Sequence, residues 1–375
     1  MIDPLEEKRT GQIALWVADP GFHTDPIIID AFNYAVQKGC THYFPAEGFD
    51  ENILPKSIAN FYKSTRGSEI DPLNEIKITH GAQEALSFSI HTAVKPGEEV
   101  IVPEPTYSAL IEKLPIFGAK PIFVPLLEEE DWRLDLDKIR SSINEKTRMI
   151  FICNPNNPTG AVYSKKEIEE LGEILRENKR VTILLDECYS RILYDGTPFS
   201  SLLDDESLRN QLFLVNSFSK CYAMTGWRLG YVISGKERID KIKSHAFEYN
   251  GGVSYAVQYA GSIALEKCAP FVGSMVKELD KRRHVMLKAL GELEDVTFDN
   301  PKGGFEIFPN FSAYSKDSVE LSSKIEVENV KTIPGARFGP SGEGHLRLVF
   351  CAENSERIIE GVSRIKKVLQ ASSAR

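Results

Sequence analysis

The stretch "RMIFICNPNNPTGAVYSKKEIEELGEILRENKRVTILLDECY", residues 148–189, decides the fold. Its ends, "RMIFIC" (148–153) and "VTILLDE" (181–187), are short runs of branched apolar residues, the composition of strands buried on both faces. Between them Ile168, Leu171 and Leu175 recur at helical spacing from Lys165 onward, and Ser164 with Glu167 has the spacing of a capping box. Strand, loop, helix, strand is a βαβ unit, and its crossover joins parallel strands.

Outward from this unit the same kind of strand recurs as "EVIVP" (99–103), "KPIFVP" (120–125), "QLFLVNSF" (211–218) and "LGYVIS" (229–234). A helical period starts at Gly81, with Ala82, Ala85, Leu86, Ile90 and Ala93 on one face. The expectation is an α/β chain with a mainly parallel sheet flanked by helices. Beyond about residue 275 the style changes to the charged amphipathic "MVKELDKRRHVMLKALGEL" (275–293), then to alternating strands around "GGFEIFPNF" (303–311) and "HLRLVF" (345–350). This reads as a smaller α+β lobe, with no linker or fixed-period repeat between the two. The acidic "LEEEDWRLDLD" (127–137) reads most simply as a solvated loop.

A chain of 375 residues suits one large domain, alone or with a smaller companion. Its net charge of -9, with no dense basic tract, disfavours nucleic acid and anionic membranes as partners. No apolar run reaches membrane-spanning length, and the opening "MIDPLEEKRTGQIALW" lacks the pattern of a secretory leader. Cysteines at 40, 153, 188, 221, 268 and 351 form no CxxC pair, which reads as free thiols in a reducing cytoplasm. No His, Cys or Asp cluster has metal-ligand spacing.

The chemistry-bearing residues fall just after strands, where open α/β sheets bind ligands. Asn157 follows the first strand of the unit, Asp186 and Tyr189 end the second, and Ser217, Ser219 and Lys220 close "LVNSFSK". Each has an ordinary alternative: "NPNNPTG" as a turn, the Asp as a cap, the Lys as a solvated charge. Their recurrence on successive strand ends favours a site.

"NPTG" (157–160), "DExY" (186–189), "SxSK" (217–220) with Arg228 eight residues on, and Arg347 in the late strand resemble, in order, the pyridoxal-phosphate aminotransferases of class I/II, the aspartate aminotransferase-like members of fold type I. The likeness runs from "WVADPGFHTD" (16–25) to "GEGHLRLVF" (342–350). It implies a seven-stranded, mainly parallel sheet in a large cofactor-binding domain, 41–275, and a small domain made of 1–40 with 276–375. It also implies roles. Lys220 condenses with the cofactor aldehyde and then moves the substrate α-proton. Asp186 pairs with the pyridine nitrogen, and Asn157 and Tyr189 donate to the ring oxygen. Gly81, Ala82 and Gln83 at a helix start, with Ser217, Ser219 and Arg228, hold the phosphate. Tyr107, in "PEPTYSAL", stacks on the ring, where the plainer alternative is an interface or core tyrosine. Tyr43 reaches the phosphate of a neighbouring subunit, implying a homodimer with shared active sites. Arg347 grips the substrate α-carboxylate, where the plainer alternative is a surface arginine on an edge strand.

The expected enzyme is a ping-pong aminotransferase acting on an amino acid and a 2-oxo acid. The alternative is a carbon-sulfur β-lyase of the same cofactor class, resembled by the opening "WVADPGFHT", where Ala18 replaces the glycine of many relatives and narrows the substrate pocket. A ligand-sensing module is disfavoured by the presence of Lys220. Arg191 and Arg337 are candidates for reading the far end of the substrate, with surface charge as the plain alternative, and His23 and His80 read as structural.

Overall fold

The computed structural model describes residues 11–373. The stretch read for a leader lies mostly in residues 1–10, outside the described residues. Among the described residues there are twelve strands: β1 (Ile13–Ala14), β2 (Ile76–Thr79), β3 (Glu99–Glu104), β4 (Lys120–Pro125), β5 (Thr147–Cys153), β6 (Thr182–Asp186), β7 (Leu212–Ser217), β8 (Gly230–Ile233), β9 (Glu306–Ile307), β10 (Val330–Lys331), β11 (Ile333–Pro334) and β12 (Leu346–Val349).

β2 to β8 form one seven-stranded sheet in the order β2-β8-β7-β6-β5-β3-β4. The pairs from β7 through to β4 are all parallel, while β8 runs antiparallel to both of its neighbours, β7 and β2. The fold is therefore α/β of the expected kind. β6 and β7 are buried at every residue, which accounts for their unbroken apolar runs in the sequence. The helix between β5 and β6, Lys165–Glu177, starts with the expected capping box: Ser164 Oγ accepts from the Glu167 N–H at 3.3 Å, and the Ser164 N–H donates to Glu167 Oε2 at 2.8 Å.

Two elements differ from expectation. The strand "IKIT" (β2) has only two buried isoleucines to signal it, and it is held as the antiparallel edge partner of β8. The acidic stretch 127–137 is not a solvated loop. Trp132 is buried there against Phe308 and His345, so one aromatic residue anchors the acidic segment.

The smaller sheets, β1-β10 and β11-β12-β9, lie outside the seven-stranded sheet, but one apolar core is continuous across both regions. The long charged pattern forms the helix Ala269–Leu290, which packs against the helix Ser355–Ser373. Among the described residues no helix is long and apolar enough to cross a membrane, and the six cysteines are buried and free.

Candidate active site

A cavity of about 220 Å³ opens where the carboxyl ends of β5, β6 and β7 come together. Its lining includes Ala18, Ala82, Gln83, Tyr107, Asn157, Asp186, Tyr189, Ser217, Ser219, Lys220, Arg228 and Arg347, so residues from near both ends of the chain share one space. Gly81 sits behind this wall. A Cβ at Gly81 would approach Arg228 Nη2 to 2.6 Å, so a glycine there lets the guanidinium lie against the start of the helix Ala82–Ala93. Tyr43 is apart from the cavity and 85% exposed.

Strand alternation explains which side chains enter. β6 ends with Asp186 turned into the cavity, where one carboxylate oxygen accepts the Cys188 N–H at 3.0 Å. Burial holds this carboxyl above the usual carboxylate range, opposed by the Cys188 contacts and by the positive charge of Lys220. Lys220, at the end of β7, donates from Nζ to the carbonyl of Ala18 and lies 5.8 Å from the centre of the Phe305 ring. Arg228 holds a left-handed backbone, φ 57°, which costs a non-glycine residue roughly 1–3 kcal/mol, as functional sites often do. Its guanidinium donates to the Thr225 carbonyl at 2.6 Å.

Gln83 donates to the Tyr107 hydroxyl and so fixes that ring at the cavity wall. Burial, with the nearby Asp186 charge adding to it, pushes the Tyr107 phenol up, so it is held as a neutral ring.

Arg347 is not a surface arginine on an edge strand. It is 8% exposed, on the central strand of β11-β12-β9, because its polar head is received inside: Nη1 donates to Asn157 Oδ1 at 3.2 Å and Nη2 to the Trp16 carbonyl at 2.6 Å. Its buried Nε has no protein partner. Asn157 thereby spends its carbonyl oxygen on Arg347 and keeps its amide N–H groups for the cavity. Tyr189 also lines the cavity, and its hydroxyl donates to Glu306 Oε1 at 2.6 Å. Arg191 is engaged with the Tyr222 hydroxyl and the Phe61 ring, and Arg337 pairs with Glu112 at 2.5 Å; neither lines the cavity.

Sequence reading passed over Cys153, Cys188 and Thr225, which also line the cavity. They carry no charge and fall between the residues that do.

The family model described as "Aminotransferase class I and II" matches residues 11–365. The chain belongs to the class I and II aminotransferases. It is 34% identical to aromatic-amino-acid aminotransferase 2 of Thermococcus litoralis, over 99% of this chain and 97% of that one. It is 36% identical to an aspartate aminotransferase of Pyrococcus horikoshii, covering 97% and 92%. Among solved structures, an aromatic aminotransferase from Pyrococcus horikoshii OT3 superposes with a TM-score of 0.91 at 33% identity, covering 97% of this chain and 96% of that one. The aminotransferase thus shares the fold of that structure over nearly all of its length, and charged and hydrogen-bonding side chains converge in its cavity.

Proposed function

We propose that this aminotransferase moves an amino group between an amino acid and a 2-oxo acid in a ping-pong cycle, with pyridoxal 5'-phosphate held in the cavity. The observation that carries this is the meeting of a lysine, a buried carboxylate and two arginines in one space. The residues fit the group. Asp186, buried and held partly toward its neutral form, is the site for a cationic ring nitrogen, whose charge would restore the carboxylate. Arg228, the hydroxyls of Ser217 and Ser219 and the helix start at Gly81, Ala82 and Gln83 make an anion site for the phosphate. When bound, pyridoxal phosphate supplies an aldehyde that condenses with amines and a ring that spreads the charge left when the α-proton departs.

The chain's own residues do the rest. Lys220 would hold the cofactor through Nζ and, when that atom is free, would carry the α-proton on it. Asp186 keeps the ring nitrogen protonated. Asn157 and Tyr189 would hold the ring oxygen, and the Tyr107 ring would pack on the cofactor. Arg347, which lines the cavity, would receive the α-carboxylate. Ala18 borders the substrate. The same reading includes a large domain of 41–275, a small domain of 1–40 with 276–375, a homodimer whose Tyr43 serves the partner's site, and a cytoplasmic location supported by six free buried thiols.

The test supplies purified protein and pyridoxal phosphate with single amino acids, aromatic and acidic ones included, with and without a 2-oxo acid acceptor. Repeated turnover that needs both substrates and conserves amino groups is expected, and Lys220→Ala should abolish it. Ammonia released without any acceptor would replace this reading with β-elimination.

A further inference from the structure

Arg347 depends on the turn between β11 and β12, and the proposed cycle gives that turn no part. The two strands pair antiparallel with Ile333 opposite Arg347, so residues 335–345 close a hairpin whose second arm carries the arginine. The Gly335 N–H fastens the turn to the His345 carbonyl at 2.9 Å. Phe338, within the turn, is fully buried, and its ring lies 5.2 Å from the Arg347 guanidinium carbon. Wherever the turn sits, that side of the arginine follows.

The turn is tied to the seven-stranded sheet at the end of β3. Glu104, the last residue of that strand, is 1% exposed and stands outside the cavity lining. Both of its oxygens accept from one residue of the turn: Oε1 from Ser341 Oγ at 2.7 Å and Oε2 from the Ser341 N–H at 2.8 Å. Burial pushes the Glu104 carboxyl above the usual carboxylate range, and these two donors pull it back. A Cβ on Gly339 would lie 2.4 Å from Oε2, so the glycine, at φ 125°, lets the turn close on the carboxylate. Two residues beyond Glu104, the Thr106 N–H donates to the Phe338 carbonyl at 2.8 Å. A third tie, Arg337 to Glu112, is half exposed and holds less.

A buried carboxylate adds little net stability, because its desolvation offsets most of what its hydrogen bonds return. What it supplies is register: two donors on one residue meet two oxygens in a single arrangement. We infer that Glu104 is a positioning residue for Arg347, acting through Ser341 and Phe338 to hold the hairpin against the segment that carries Tyr107 into the cavity wall. The inference rests on Arg347 receiving the α-carboxylate and deepens that reading, since an amino acid and a 2-oxo acid both present this group.

The experiment measures steady-state KM and kcat of the holoenzyme for the amino acid and the 2-oxo acid that turn over, in the unsubstituted protein, Glu104→Ala, Glu104→Gln, Ser341→Ala and Arg347→Lys. Glu104→Ala should raise both KM values about tenfold and change kcat by less than about threefold. Ser341→Ala, which keeps the backbone donor, should raise both about threefold. Glu104→Gln should stay within about twofold, because its amide oxygen accepts the N–H and its amide nitrogen donates to Oγ. The control is methoxyamine, which condenses with the cofactor aldehyde but has no carboxylate. The rate at which it bleaches the visible band should be the same in the Glu104 and Ser341 variants as in the unsubstituted protein. Unchanged KM values in Glu104→Ala, or methoxyamine slowed as much as the amino acid, would overturn the positioning role and leave Glu104 a scaffold residue. Should Glu104→Ala fail to fold, Ser341→Ala decides by the same two readouts. An unchanged KM in Arg347→Lys would instead overturn the carboxylate reading on which the inference rests.

Discussion

Arg347 is held by three contacts, and one of its buried donors is left over. The Asn157 and Trp16 contacts fix its plane, the Phe338 ring lies 5.2 Å from its guanidinium carbon, and Nε is left without a protein partner. A planar fork fixed in this way suits a carboxylate better than a flexible ammonium does, so Arg347→Lys keeps the charge and loses the recognition. The expected outcome is a KM for the amino acid raised roughly tenfold to a hundredfold, the equivalent of about 1.5–3 kcal/mol, with kcat reduced less. An unchanged KM in steady-state kinetics would remove Arg347 from carboxylate binding. At this scale the cavity was legible because its charged residues stand directly after apolar runs, as Asp186 and Lys220 do, and a linear run records where a strand ends. Cys153, Cys188 and Thr225 were not legible, since a neutral side chain next to a charged one leaves no mark in the sequence. Glu306 did leave one: a lone acid in an otherwise apolar strand. Read as part of an alternating strand, it gave no hint that its partner was a tyrosine 117 positions away.

A strand that delivers one residue to a cavity must send the next to the opposite face, and β6 shows the consequence. Asp186 enters the cavity, and Glu187 is carried into the core on the other side, 1% exposed, with Oε1 lacking a hydrogen-bond partner. Burial pushes the Glu187 carboxyl up to about 7, against the pull of the Arg66 charge. The folded protein therefore holds this proton where the unfolded chain has lost it. Stability falls as pH rises from the ordinary carboxylate range through about 7, by on the order of 3 kcal/mol once Glu187 is ionised. Glu187→Gln should raise the thermal midpoint by a few degrees at pH 8, and the gain should vanish near pH 5. Melting curves at the two values check it; a gain of equal size at both would show that ionisation is not the cause. The same alternation explains what the sequence could and could not convey about elements. Fully buried parallel strands such as β6 and β7 announce themselves as unbroken apolar runs. A short edge strand such as β2 and an acidic segment pinned by Trp132 depend on partners far along the chain, so their local composition misleads.

At the scale of the whole molecule, Tyr43 and Phe44 remain unaccounted for by a single chain. They are 85% and 76% exposed, next to each other, and apart from the cavity. Two adjacent exposed aromatic rings fit a contact surface, and in the proposed homodimer the Tyr43 hydroxyl donates to the phosphate of the partner's cofactor. On that reading the chain migrates at twice its 42.0 kDa mass, and Tyr43→Ala weakens pyridoxal phosphate binding roughly tenfold. Affinity alone would not say whose phosphate is touched, but a hybrid does. In a dimer of one Tyr43→Ala chain and one Lys220→Ala chain, the subunit that retains Lys220 faces a partner that retains Tyr43. Its site is then complete, while the other site lacks both residues. The hybrid, isolated by two different affinity tags, should bind cofactor at its active site as tightly as the unsubstituted dimer and turn over at half the rate per dimer. If the active subunit instead keeps the tenfold loss of the Tyr43→Ala homodimer, Tyr43 serves its own chain and the shared site is wrong. Tyr43 lies apart from its own chain's cavity, and closure between two copies is the arrangement that would bring it to the chemistry.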